Sequence, residues 1–151
     1  MRLELGSLAR PRGHVSRAVV PADVAPLGAL LLAAYRGGPD DEDETLEDAV
    51  RLVEQTFEGT SGPLIEAASR CIETEGTIRC ACLVTRWRGT PLVAHVVTEP
   101  AFQRRGFATQ LLREAAWELQ GAGESLFRLY VTQANVSAIR AYERVGFAVV
   151  R

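Results

Sequence analysis

Apolar positions along this chain of 151 residues recur with two periods, and the switches between them mark the elements. Residues 17–20 predict a short strand. Pro21-Ala22-Asp23 opens a helix whose Leu27, Leu30, Leu31 and Ala34 share one face, and Gly37-Gly38-Pro39 stops it. After the acidic run from Asp40 to Glu44, Thr45-x-x-Asp48 resembles a capping box with Asp in the place of Glu. Leu46, Ala49, Val50, Val53 and Phe57 form the stripe of a second helix, broken by residues 59–63. Residues 67–73 and 77–85 predict a hairpin turning at Glu75-Gly76. A turn at residues 88–91 leads into an apolar strand over 92–98, interrupted by His95. A helix over 107–121 follows, with Leu111, Leu112, Ala115 and Leu119 inward. A strand at 126–132, a helix at 136–144 and a last strand at 147–150 complete the pattern.

The order β-α-α-β-β-β-α-β-α-β predicts an α/β (α+β) fold, a mixed and mostly antiparallel sheet with helices on both faces. No repeat or low-complexity linker divides the chain, so residues 1–151 are read as one domain. Apolar residues make up 47% and charged residues 24%, the proportions of a globular protein. No apolar run approaches the roughly 18 residues that span a bilayer, and the first residues lack the apolar stretch of a secretory signal. The expected compartment is the cytoplasm, with no membrane partner.

All 17 basic residues are arginine, so the chain has no lysine side chain. The net charge of −2 is unevenly spread: residues 1–99 carry 10 Arg against 15 acids, and residues 100–151 carry 7 Arg against 4. A modestly positive C-terminal part suits a phosphorylated small ligand better than a nucleic acid, which needs a longer basic surface. Cys71, Cys80 and Cys82 include no Cys-x-x-Cys, and with only two histidines they point away from a metal site. Two readings of the thiols stand: small buried side chains, or Cys71 and Cys80 facing each other across the hairpin.

The sharpest chemistry lies in Gln103-Arg104-Arg105-Gly106-Phe107-Ala108, between an apolar strand and an amphipathic helix. A helix N-terminus exposes unpaired N–H groups and a partial positive charge, which attract anions. Gly106 removes a side chain where backbone would approach the ligand, Ala108 keeps the next contact small, and Thr109 offers a hydroxyl. An ordinary strand-to-helix turn with solvated arginines is the alternative. Downstream, Asn135 begins a helix and Tyr142 follows seven residues later, two turns along the same face. An N-cap and a packing aromatic would explain the same two residues without any function.

Gln-x-x-Gly-x-Ala between strand and helix, then Asn-x-x-x-x-x-x-Tyr-x-x-x-Gly-Phe, resembles the GNAT N-acetyltransferase superfamily. The resemblance is specific over residues 92–147, which it marks as an acetyl-CoA-binding core, and consistent in element order from Arg17. It implies that the strand before the loop splays from its neighbour, so that Val96, Val97 and Thr98 pair with the pantetheine arm. It implies further that the amides of Arg104 to Thr109 hold the pyrophosphate and that Asn135 lies beside the arm. Gln103 belongs to the same cofactor motif, and Tyr142 matches the position that protonates the departing thiolate. No metal is implied. Two departures accompany the match. The family continues through two C-terminal strands, and here that region is short, so residues 2–5 of the extension 1–16, or a partner chain in a homodimer, would supply an edge. Leu92 stands where some members carry a catalytic glutamate.

The expected activity is therefore transfer of an acetyl group from acetyl-CoA to a small-molecule or peptide amine by direct attack. The alternative is a non-catalytic acyl-CoA-binding or sensory module on the same fold. An amine attacks only when unprotonated, which at pH 7 costs about 4.6 kcal/mol for a lysine-like amine and about 1.4 kcal/mol for an α-amine. Candidate bases are His95, Glu73, Glu99 or a water relay. The acidic run Asp40 to Glu44 either faces a cationic acceptor or solvates the surface and the second helix's N-terminus. Tyr35 and Trp87 are candidate walls of the acceptor pocket.

Overall fold

The computed structural model describes residues 1–150. Its elements are β1 (Arg2–Glu4), β2 (Arg17–Ala18), α1 (Val24–Tyr35), α2 (Leu46–Glu58), β3 (Arg70–Thr74), β4 (Thr77–Trp87), β5 (Thr90–Thr98), α3 (Phe107–Gly121), β6 (Leu126–Leu129) and α4 (Val136–Val145). The strands form one six-stranded sheet in the order β1-β6-β5-β4-β3-β2. Every neighbouring pair is antiparallel except β5 with β6.

Alternation along β4 divides the core into two layers. Cys80, Cys82 and Val84 face α3, where they pack with Leu111, Leu112, Ala115 and Phe127. Ala81 and Leu83 face α1 and α2 and pack with Leu27, Leu31, Ala49 and Val53. The two hairpins turn on two residues each, Glu75 (φ 54°) with Gly76 (φ 76°), and Arg88 (φ 51°) with Gly89 (φ 79°). Positive φ at both positions is the type I′ geometry that matches strand twist. Such a turn uses only two residues, so the second hairpin extends to Trp87 and Thr90 instead of opening at the broader turn expected over 88–91. Thr45 and Asp48 exchange reciprocal hydrogen bonds at the start of α2, the expected capping box.

Several elements differ from expectation. The strand expected from residue 67 starts at Arg70, because Glu66–Ala68 turn as a 3-10 helix. β6 stops at Leu129, since Tyr130 to Thr132 leave the sheet. The strand expected at 147–150 is a single bridge, Ala148 to Arg2. Arg2 pairs on its other side with Arg128, so β1 lies between β6 and Ala148 and supplies the sheet's edge from within the chain. Beyond β1 the N-terminal segment runs back along α3: Leu8 N–H donates to Gln120 (2.7 Å), and His14 and Gln110 exchange two hydrogen bonds (2.8 and 2.6 Å). Cys71 is opposite Ala81, and its face of the sheet is the α1–α2 layer, whereas Cys80 faces α3. The three thiols are free and buried, and Cys71 and Cys80 do not face each other.

Candidate active-site cleft

β5 and β6 pair in register only at Leu92 with Arg128 and Val93 with Leu129. One cause of their separation is visible in β5 itself. Against β4, Leu83 is opposite His95 and Val84 opposite Val93, which leaves Ala94 as an extra, bulged residue. A bulge bends and twists its strand locally. From Ala94 onward β5 keeps β4 on one side and has no strand on the other, so its outer N–H and C=O groups border a cleft of about 1280 Å³.

The cleft runs from this open edge to the start of α3. Val96, Val97, Thr98, Gln103, Arg104, Gly106, Phe107, Ala108 and Thr109 line one side, and Asn135 and Tyr142 line the other. Arg105 does not line it: its guanidinium lies 4.5 Å from the centre of the Phe102 ring. Gly106 caps α3 with φ 80°, and Arg104 is also left-handed at φ 65°. Two such residues within three turn the backbone so that its amides face outward rather than continuing the preceding 3-10 turn at Pro100–Phe102. The first bond into the helix runs from Gln110 N–H to Gly106 (3.0 Å), and among the described residues no acceptor reaches the amides of Phe107, Ala108 and Thr109. A Cβ on Gly106 would meet nothing within 4 Å, which is open space at the end of a helix dipole. A long arm bearing a pyrophosphate fits these features: the free strand edge for the amide-rich arm, the helix start for the phosphates.

Asn135 caps α4, its Oδ1 accepting from Ala138 N–H (3.2 Å), so the structural role and a place at the cleft coexist. Its Nδ2 donates to Asp40 (3.3 Å), and Thr132 Oγ1 donates to the other Asp40 oxygen (3.1 Å). Tyr142 packs against Phe147 with ring centres 6.3 Å apart. Burial, with nearby Tyr35, Cys82 and Asp40, pushes its phenol well above the usual value, so it stays protonated. Burial also pushes Tyr35 up to about 12, with Asp40 and Glu44 adding to the effect.

Of the candidate bases, only His95 lines the cleft. Its Nε2 lies 3.3 Å from Thr56 Oγ1, its Nδ1 is buried without a partner, and burial pushes its pKa down to about 4. Glu73 is paired with Arg17 and Glu99 with Arg79 (2.6 Å), both outside the cleft lining. Tyr35 lines the cleft, but Trp87 sits at the far hairpin under Arg88. Burial pushes Cys71 up to about 11 and Cys80 up to about 12, so neither thiol is poised as a nucleophile. Among the described residues no group of three His, Cys, Asp or Glu could hold a metal ion, and no helix is long and apolar enough to cross a membrane. The sequence reading missed Tyr130, Val131, Arg140 and Arg144 as lining residues, and gave Asp40 no role apart from its acidic neighbours. The early departure of β6 from the sheet, which leaves Tyr130 exposed, has no local signal in an apolar run that continues to Val131.

A mixed sheet whose two parallel strands part beside a helix N-terminus defines an open α/β fold with a cleft at the parting. The chain belongs to the GNAT acetyltransferase family, whose domain model matches residues 67–149. A [Ribosomal protein bS18]-alanine N-acetyltransferase of Haemophilus ducreyi is 40% identical over 53 residues, 35% of this chain and 37% of that protein. The match thus spans well under half of that relative. Among solved structures, the PaiA N-acetyltransferase of Thermoplasma acidophilum in complex with coenzyme A superposes with a TM-score of 0.72 at 14% identity, over 92% of each chain. A GNAT acetyltransferase of Brucella melitensis in complex with acetyl-CoA gives 0.68 at 21% identity, over 89% of this chain and 82% of that one. At these identities the likeness is one of fold.

Proposed function

We propose that residues 1–151 act as one acetyltransferase domain that moves the acetyl group of acetyl-CoA to a primary amine. The observation that carries this reading is the continuity of the β5 edge with the unpaired amides of Phe107 to Thr109, in one cleft with Tyr142. Val96 to Thr98 would pair with the pantetheine arm, Gln103 to Thr109 would surround the pyrophosphate, and Asn135 would flank the arm. Acetyl-CoA supplies the activated acyl carbon. The amine nitrogen attacks that carbon and passes its proton to water, a backbone N–H near the Ala94 bulge steadies the charge on oxygen, and the C–S bond breaks. The phenol of Tyr142 gives its proton to the leaving thiolate.

An α-amine fits this cleft better than a lysine-like one. His95, neutral and with a pKa near 4, is a weak base, and Glu73 and Glu99 are engaged with arginines. Without a strong base, the roughly 3 kcal/mol lower cost of deprotonating an α-amine decides the preference. The relative from Haemophilus ducreyi, named for alanine of ribosomal protein bS18, supports an α-amine of a protein as the acceptor.

The test is calorimetric titration with acetyl-CoA followed by thiol release over a panel: an alanine-initiated peptide, a lysine side-chain peptide, spermidine and an aminoglycoside. Binding with turnover on the alanine-initiated peptide is expected. Absence of binding would overturn the cofactor reading, and binding with no turnover on any amine would favour a sensory module.

A further inference from the structure

We propose that the strap from Gly13 to Ser16 clasps the first turn of α3, and that Gln110 is the positioning residue through which it sets acetyl-CoA affinity. The inference rests on the cofactor reading above, in which the free amides of Phe107, Ala108 and Thr109 meet the pyrophosphate, and adds what holds them in place. Gln110 has two tasks. Its N–H gives the first helical bond, to Gly106 (3.0 Å), and so closes the turn that contains the three free amides. Its side-chain amide grips the backbone of His14: Oε1 accepts from His14 N–H (2.8 Å), and Nε2 donates to His14 C=O (2.6 Å) and to Glu114 (3.1 Å). A backbone donor and acceptor on the same residue leave the amide one orientation. Neither Gln110 nor any residue from Gly13 to Ser16 lines the cleft, so the clasp acts on the ligand only through the helix start.

The rest of the strap is built around this grip. Gly13 permits the close approach, since a Cβ there would overlap Oε1 of Gln110 and lie 2.8 Å from its Cδ. The His14 ring meets Phe107, the first residue of α3, edge-on with centres 4.6 Å apart, and Phe102 stacks on Phe107 at 6.4 Å. Phe107 is thus held between the strap and the turn that precedes the helix. Ser16 anchors the strap's end: its Oγ donates to Glu114 (2.6 Å), and Arg70 on β3 donates to its Oγ (2.9 Å) and C=O (3.0 Å). Helix ends fray, and one that must meet an anion without rearranging needs support from outside. α3 has no capping side chain, because its N-cap residue is Gly106. The hold that a cap gives other helices comes here from the strap.

The experiment measures acetyl-CoA affinity by calorimetry and stability by urea unfolding for wild type, Gln110→Met, Gly13→Ala and Gln120→Met. Gln120 is the control: it accepts from Leu8 N–H (2.7 Å) of the same N-terminal segment, but near the far end of α3 and away from the cleft. A hydrogen bond to a charged group is worth roughly one to two powers of ten in affinity, and a loosened turn misaligns at least one of the three amides. Gln110→Met and Gly13→Ala should therefore weaken acetyl-CoA binding about tenfold or more, whereas Gln120→Met loses stability and changes affinity less than about twofold. Gly13→Ala keeps every hydrogen-bonding side chain and carries the test if Gln110→Met does not fold. Wild-type affinity in a folded clasp variant would overturn the proposal. Equal weakening in Gln120→Met would also overturn it, since general stability would then account for the loss. If the wild type binds no acetyl-CoA, the cofactor reading fails first and this one with it.

Discussion

Replacing Tyr142 by Phe removes one oxygen and leaves the ring where it packs. The ring lies on the edge of the α3-facing core against Phe147, and its hydroxyl has no partner among the described residues. No internal hydrogen bond is lost, so stability should change by less than about 1 kcal/mol, the net worth of one such bond. The catalytic effect is separate. Removal of a general acid costs about 10²- to 10⁴-fold, and a thiolate with pKa near 8.5 leaves tolerably without help, which places the loss near the lower end. A fall in kcat of about 10²-fold corresponds to about 2.7 kcal/mol of transition-state stabilisation. Steady-state thiol release measures it, and calorimetry should give an acetyl-CoA affinity close to that of wild type. Because burial holds the phenol above its ordinary value, wild-type kcat should show no alkaline fall from this group up to about pH 10. A folded variant with full kcat would refute the acid role, as would a variant that loses acetyl-CoA through unfolding; either outcome leaves Tyr142 a packing aromatic.

Gly106→Glu should fold, since a Cβ there meets open space, at a cost of about 1–2 kcal/mol for its left-handed backbone. A carboxylate beside the pyrophosphate should lower acetyl-CoA affinity about a hundredfold or more, and unchanged affinity by calorimetry would misplace the phosphate site. His95 is buried neutral with a pKa near 4 against 6.5 when unfolded, so the unfolded chain binds the extra proton between those values. Stability from this group is full above pH 6.5 and falls by up to about 3 kcal/mol as pH drops to 4. Urea unfolding at pH 7 and 4.5 should show a smaller acid loss in His95→Gln, and parallel losses would contradict its burial. Gly28→Ala should destabilise by about 1–3 kcal/mol in the same assay, because its Cβ would lie 2.8 Å from the Val50 backbone and push α1 from α2. A midpoint equal to wild type would mean that the two helices are not so closely packed.

What was legible in the sequence is what depends on near neighbours. The capping box at Thr45, the turn at Glu75-Gly76 and the span of α3 each rest on residues within a turn or two, and they stand as expected. The same is true of the start of α3, where Gly106 ends one conformation and starts a helix. β1 is three residues long, too short to show a period, and its place between β6 and Ala148 depends on partners more than a hundred residues away. The early end of β6 is equally remote in origin. Leu126 to Thr132 reads as one strand, yet only as far as Leu129 does β5 run close enough to pair with it.

The loop from Asp40 to Glu44 shows the same rule at the level of chemistry. By composition, Asp40 to Glu44 are five equivalent charges, and solvation of a loop accounts for all of them. Only the meeting of the α1–α2 loop with the start of α4 separates one carboxylate from the other four. The hydrogen bonds that do so join residues 92 and 95 positions apart in the chain. Phosphate recognition can be built from a local backbone shape, because the amides of any helix start already converge. The start of α3 is therefore legible from a short motif, while the contact that carries Asp40 to the start of α4 is not.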